Sequence, residues 1–180
     1  MCLCVYVFQK ISICFKNNQK MKVTFAYYLS RFPEVVPPVT LRDDSNHDFE
    51  ANDPLQAEMI EQYITRYEAV EVDEFTEYLA CFRLPKRGDY QTLVYWKAGL
   101  LNYDFVIATY KKDGNMIDKK AIAGIKVLGQ NITRSIATIN EDLAINIAEG
   151  MEIAGGDFSA DATKARRFQI GENGLIEQEY

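Results

Sequence analysis

From Thr76 onward the chain is a succession of short segments rich in aromatic and β-branched residues, and the links between them are brief. The segments read TEYLACFRLP, YQTLVYWKAGLL, YDFVIATYKK, NMIDKKAIAG, NITRSIATIN, LAINIAEGMEIA and a closing KARRFQIGENGLIEQEY. Parallel strands need a crossover of about a dozen residues or more, which these links do not supply, so neighbours must run antiparallel. Asp113-Gly114 and Asn173-Gly174 mark two tight hairpins, because glycine enters the left-handed region without steric cost. Asn140-Glu141-Asp142 and Gly155-Gly156 mark two further loops. The expectation is a meander of about seven or eight strands. Stretches such as Phe105 to Tyr110 are apolar at every position, so both faces of the sheet need cover. Helices are expected on one face, and sheet curvature or a second layer on the other.

The helices must come from the first half of the chain. Phe25, Tyr28, Leu29 and Phe32 recur at spacings of three and four, with Thr24 placed to cap and Pro33 to stop a short helix. Pro37-Pro38 reads as an extended connector, with Val39 to Leu41 entering the edge of the sheet. The polar run RDDSNHDFEANDP is a loop. Asp53-Pro54 predicts a helix over 54–67, capped by the Asp53 carboxylate. Its apolar stripe is Leu55, Met59, Ile60, Tyr63, Ile64 and Tyr67, and Glu58, Glu61, Gln62 and Glu68 take the other side. The fold class is therefore α+β, with one or two N-terminal helices packed on an antiparallel, curved or sandwich-like meander.

The stretches ATYKKDGNMIDKKAIAG, TRSIATINED and INIAEG resemble a group of uncharacterised small bacterial proteins built on a strand–(D/K)G–strand hairpin. The resemblance spans roughly residues 75–150, and its motifs concern structure. It implies an antiparallel hairpin fold and carries over no activity and no catalytic residue.

The opening residues differ from the rest. Cys2 to Phe8 is apolar, but no stretch of the chain approaches the ~20 apolar residues that span a bilayer. Lys10, Lys16 and Lys20 follow that run, the reverse of a secretory signal, and no small-residue cleavage site is present. Cys2, Cys4 and Cys14 lack the spacing and the fourth ligand of a structural zinc site. Met21 opens the first helical pattern, so residues 1–20 are expected to be a dispensable extension of a single domain over 21–180. In that domain Cys81 is the one thiol; no internal disulfide can form, which suits a reducing cytoplasm.

The net charge of −6 is unevenly spread. Residues 34–77 hold thirteen acids against Arg42 and Arg66, a balance of −11, whereas residues 78–180 balance to zero. Such a block repels nucleic-acid backbones and attracts basic partners. Glu58, Glu61, Glu68, Glu71, Asp73 and Glu74 are the candidate interaction surface. The basic pairs Lys111-Lys112, Lys119-Lys120 and Arg166-Arg167 are expected at solvated strand ends, each divided between the two faces of its strand.

Markers of catalysis are few. His47 is the only histidine, which removes paired-histidine metal sites, and no Gly-rich phosphate loop or G-x-S-x-G elbow is present. Asp43, Asp44, His47 and Asp48 gather oxygen and nitrogen donors on one loop, a weak metal candidate without the alternating calcium-loop pattern. Trp96, Tyr90, Tyr95, Tyr103 and Tyr110 fit either a ligand groove or ordinary cross-strand packing. Two readings follow. One is a non-catalytic cytoplasmic binding protein, of inhibitor or immunity type, that meets a basic protein and uses no cofactor, nucleic acid or membrane. The other is a small-molecule-binding or metal-assisted enzyme domain using the aromatic face and the Asp43–Asp48 loop.

Overall fold

The structure, a computed structural model, describes residues 23–69, 73–153 and 158–179. The expected extension over 1–20, the Gly155-Gly156 loop and Glu71 lie outside the described residues. In chain order the elements are helix α1 (Phe25–Leu29), strand β1 (Val39–Leu41), a 3-10 turn (Ser45–Phe49), helix α2 (Ala57–Tyr63) and a second 3-10 turn (Thr65–Tyr67). Eight longer strands follow: β2 (Glu77–Arg83), β3 (Tyr90–Ala98), β4 (Asn102–Lys111), β5 (Met116–Leu128), β6 (Asn131–Ile139), β7 (Ala144–Ile153), β8 (Phe158–Ile170) and β9 (Ile176–Glu179).

Strands β2 to β9 pair in sequence order, every pair antiparallel, and the sheet does not close on itself. The DG and NG turns form as their chemistry requires. Gly114 and Gly174 take φ of +85° and +82°, and Gly114 N–H donates back to the Lys111 carbonyl. Val39–Leu41 does join the sheet, on β6. One edge of β6 is shared: β5 pairs with it from Leu128↔Asn131 to Gly124↔Ser135, and β1 takes over from Ala137 to Ile139. Before Gly124, β5 pairs with β4 alone, and a register shift beside Ile122 bends it there.

That parting lets the sheet curl around its own apolar face. The inner core takes Phe82, Val94, Phe105, Ile107 and Ile122 from one half, and Ala137, Ile139, Ile145, Ile147, Phe168, Ile170 and Ile176 from the other. The last hairpin returns to β4 and β5: Thr109 Oγ1 donates to the Gly174 carbonyl at 2.6 Å, and Ile176 N–H to Asp118 Oδ2 at 2.9 Å. A second core lies on the opposite face, where Ala80, Leu93, Tyr95, Val106, Ala108 and Tyr110 cluster with Phe25, Tyr28, Phe32, Met59, Tyr63 and Ile64. β4 thus alternates, Phe105 and Ile107 to one core and Val106, Ala108 and Tyr110 to the other, which is why it reads as apolar at every position.

Two local expectations are corrected. Thr24 caps α1 by accepting from Tyr27 N–H, but Asp53 does not cap α2, whose capping position is Gln56 with no side-chain bond. The Asp53 carboxylate pairs with Arg31 at 2.8 Å instead, and Asn52 Nδ2 donates to the Ala80 and Cys81 carbonyls on β2. Those tertiary bonds hold 52–53 in place and delay the helix by one turn. The predicted helix over 54–67 is therefore α2 plus the 3-10 turn Thr65–Tyr67.

Candidate interaction surface

The carboxylates expected to face a partner fall into two environments. On α2, Met59 and Tyr63 turn into the core, which leaves Glu58 and Glu61 exposed on the other side. Beyond the helix, Asp73, Glu74 and Glu77 are exposed at the approach to β2. Asp73 also shapes that approach: its Oδ1 accepts from Phe75 N–H at 2.9 Å and from the Thr76 hydroxyl at 3.1 Å. Among the described residues, Glu58, Asp73, Glu74 and Glu77 have no basic group within ion-pair distance.

Glu68 belongs to the other environment. Its carboxylate lies 3.0 Å from Lys119 Nζ on β5 and 3.3 Å from Lys97 Nζ on β3, and all three side chains are largely shielded. The helical segment is thus clipped to the sheet by one anion between two cations. Burial by itself raises the pKa of Glu68, but Lys119 and Lys97 outweigh it and hold the carboxyl below its ordinary value. A lowered folded-state pKa stabilises the fold above the unfolded-state pKa, and that stability is lost as pH falls through the folded value. Asp104, half-buried near Lys126 and Lys97, is shifted upward by that partial burial and acts with the opposite sign. Glu68→Gln is expected to lower stability at neutral pH by about 2 kcal/mol, since it leaves two shielded ammonium groups without their anion. The variant should also lose less stability than the wild type between neutral pH and the carboxylate range. Urea melts at several pH values check both expectations.

Two of the four candidate side chains on the Asp43–Asp48 loop, Asp43 and His47, already have partners. Asp43 pairs with Arg134, and His47 Nδ1 lies 2.6 Å from Glu50 Oε1. Asp44 precedes the 3-10 turn without a capping bond, and Asp48 lies within it. Among the described residues, no group of three or more His, Cys, Asp or Glu side chains is placed to hold a metal ion. Cys81 is buried, and burial pushes its thiol pKa far up, which opposes the thiolate that a nucleophile needs.

The aromatic residues are spent on packing. Tyr95 and Tyr110 are fully buried in the helix-side core and Tyr90 in the inner core. Trp96 stacks on Tyr103 with ring centroids 5.9 Å apart and planes 5° from parallel. An open groove of about 570 Å³ lies elsewhere, over β6 to β9, lined by Ile136, Asn146, Ala148, Ala165, Arg167 and Glu179. Lys119 and Lys120 divide between the two faces of β5, but in mid-strand and not at the solvated end expected, and Arg166 and Arg167, in mid β8, line the same groove. Lys119 meets Glu68, whereas Lys120 lies 4.4 Å over the Phe168 ring. Arg166 pairs with Glu149 and Arg167 with Glu179.

Sequence reasoning placed Glu68 among the solvated acids because it follows the helix stripe. Its lysine partners are 29 and 51 positions away and leave no local trace. Glu77, at the start of β2, is exposed beside Asp73 and Glu74.

Comparisons with protein-family models, with curated proteins and with solved structures give no match to this chain. Among the described residues, no helix is long and apolar enough to cross a membrane.

Proposed function

We propose that this chain is a non-catalytic cytoplasmic binding protein that engages a basic partner through the exposed carboxylates of residues 58–77. An inhibitor or immunity-type protein, masking a basic surface on another protein, is its concrete form. One observation carries the reading. Within the acidic block Glu34, Asp43, Asp53 and Glu68 are matched with Arg83, Arg134, Arg31 and the two lysines, and Glu50 shares a hydrogen bond with His47. Glu58, Asp73, Glu74 and Glu77, like Asp44 and Asp48 on the earlier loop, are exposed with no such match among the described residues. Like charges left together gain most when an oppositely charged surface arrives, and they speed its approach. The same field opposes nucleic-acid backbones and anionic lipid. The unbridged thiol of Cys81 suits a reducing compartment. The metal-assisted alternative has less support, because Asp43 and His47 already have partners and Tyr90, Tyr95 and Tyr110 lie in the cores.

The test compares full-length wild type with a Glu58→Gln, Asp73→Asn, Glu74→Gln, Glu77→Gln variant as bait in extract of the native cell. The expected result is a basic protein retained by the wild type at low salt, weakened at moderate salt and lost with the variant. Equal retention by both baits, or no basic protein at either salt, would overturn the proposal.

A further inference from the structure

One end of the sheet carries large apolar side chains that the fold does not use. Leu100 and Leu101, in the turn between β3 and β4, are 71% and 59% exposed, and Leu128, the last residue of β5, is 80% exposed. Phe75, just before β2, is 63% exposed. Turn chemistry does not ask for them. Gly99 N–H donates to the Asn102 carbonyl in the first turn, and Gly129 takes φ of +62° in the turn that follows Leu128. Register brings them together. Glu77 pairs with Ala98, Ala98 with Tyr103 and Asn102 with Lys126, and Val127 N–H donates to the Leu101 carbonyl at 3.0 Å. The Trp96–Tyr103 stack stands beside the same turn. Single exposed hydrophobic residues are ordinary on a protein surface, but four at one sheet end mark a contact.

The charges around this end select the occupant. Asp73 and Glu74 precede Phe75 and Glu77 follows it, all exposed. The lysines nearby are held, Lys97 by Glu68 and Lys126 by Asp104 at 3.6 Å. An apolar centre with an unmatched acidic rim repels anionic lipid and repels its own copy. We infer that this sheet end is the contact patch of the binding protein proposed above, and that its partner is a protein segment presenting an apolar face flanked by lysine or arginine. The inference rests on that functional reading and adds the apolar half of the recognition.

The sequence contains one tryptophan, Trp96, so its fluorescence reports on the patch in the full chain. The probe is a synthetic amphipathic peptide of leucine and lysine, with leucine–glutamate and serine–lysine peptides as controls. Wild type is expected to bind the leucine–lysine peptide at least about tenfold more tightly than either control. Leu100→Ser, Leu101→Ser, Leu128→Ser should lose that advantage at all salt concentrations, whereas Asp73→Asn, Glu74→Gln, Glu77→Gln should lose it at low salt. The leucines are exposed, so their replacement leaves the cores intact. If the serine variant binds like wild type while the neutralised variant does not, the sheet-end inference falls and the acidic-surface reading stands. If only the serine variant loses binding, the basic-partner reading falls and takes the inference with it. Leucine-dependent sedimentation as a dimer, or leucine-dependent binding to phosphatidylcholine vesicles, would replace the partner with a second copy or a membrane and overturn the inference.

Discussion

Replacing Gly124 by alanine is expected to cost about 3–5 kcal/mol of folding stability. Gly124 has φ of +140°, a conformation that L side chains rarely adopt, and a Cβ there would fall 1.8 Å from the Tyr103 carbonyl oxygen. The obstacle is backbone, so no rotamer change relieves it. The position is also where β5 begins to pair with β6, between Asp104 on one side and Ser135 on the other. The effect should therefore reach both halves of the sheet and appear as a lower urea midpoint for the whole transition. Gly129→Ala is the matched control. Its φ is +62° but no atom lies within 4 Å of the added methyl, and only about 1 kcal/mol of left-handed strain is expected. Equal costs at the two positions would show that β5 is not pinned against Tyr103 as described.

Tyr28→Ala is expected to cost a similar 3–5 kcal/mol by a different route. Tyr28 is fully buried and stacks on Tyr63 with centroids 4.6 Å apart; it also meets Phe32 edge-on at 5.1 Å and Tyr110 at 6.1 Å. Truncation removes the ring that joins α1, α2 and β4, and the close-packed neighbours cannot collapse fully into the gap. The loss should be concentrated in the helical segments. Amides of α1 and α2 should gain exchange relative to β6 to β8, whereas Gly124→Ala should loosen the sheet as a whole. Uniform loosening in Tyr28→Ala would place Tyr28 in the main core instead.

These two positions show what the sequence displays and what it conceals. The meander was legible because hairpin turns are local: Asp113-Gly114 and Asn173-Gly174 announce their backbone geometry within two residues, and short links exclude parallel pairing. The double burial of β4 was legible from its unbroken apolar run, and the capping of α1 from Thr24. The start of α2 was not. Asp53-Pro54 has the chemistry of a helix start, but Arg31, 22 positions earlier, takes the carboxylate. Gly124 reads as one glycine among others, because what makes it necessary is the Tyr103 carbonyl on the neighbouring strand. The candidate site divides in the same way. The acidic block was visible as a charge count, but the count cannot separate Glu68, neutralised by two lysines on distant strands, from Glu74, which faces water. The apolar sheet end was hidden for the opposite reason: Leu100 and Leu101 look like strand residues until the turn is located.

The functional account depends on the helical segment lying over β2 to β4, because that packing turns Glu58 outward and brings residues 73–77 to the rim of the sheet. Residue-resolved hydrogen exchange on the full chain tests this most directly. The account predicts that amides of Leu93 to Tyr95 and Phe105 to Tyr110 exchange slowest and that Met59 to Tyr63 are clearly protected. Exchange of Met59 to Tyr63 at the rate of an unstructured chain, with β3 and β4 protected, would detach the helical layer and the contact surface built on it.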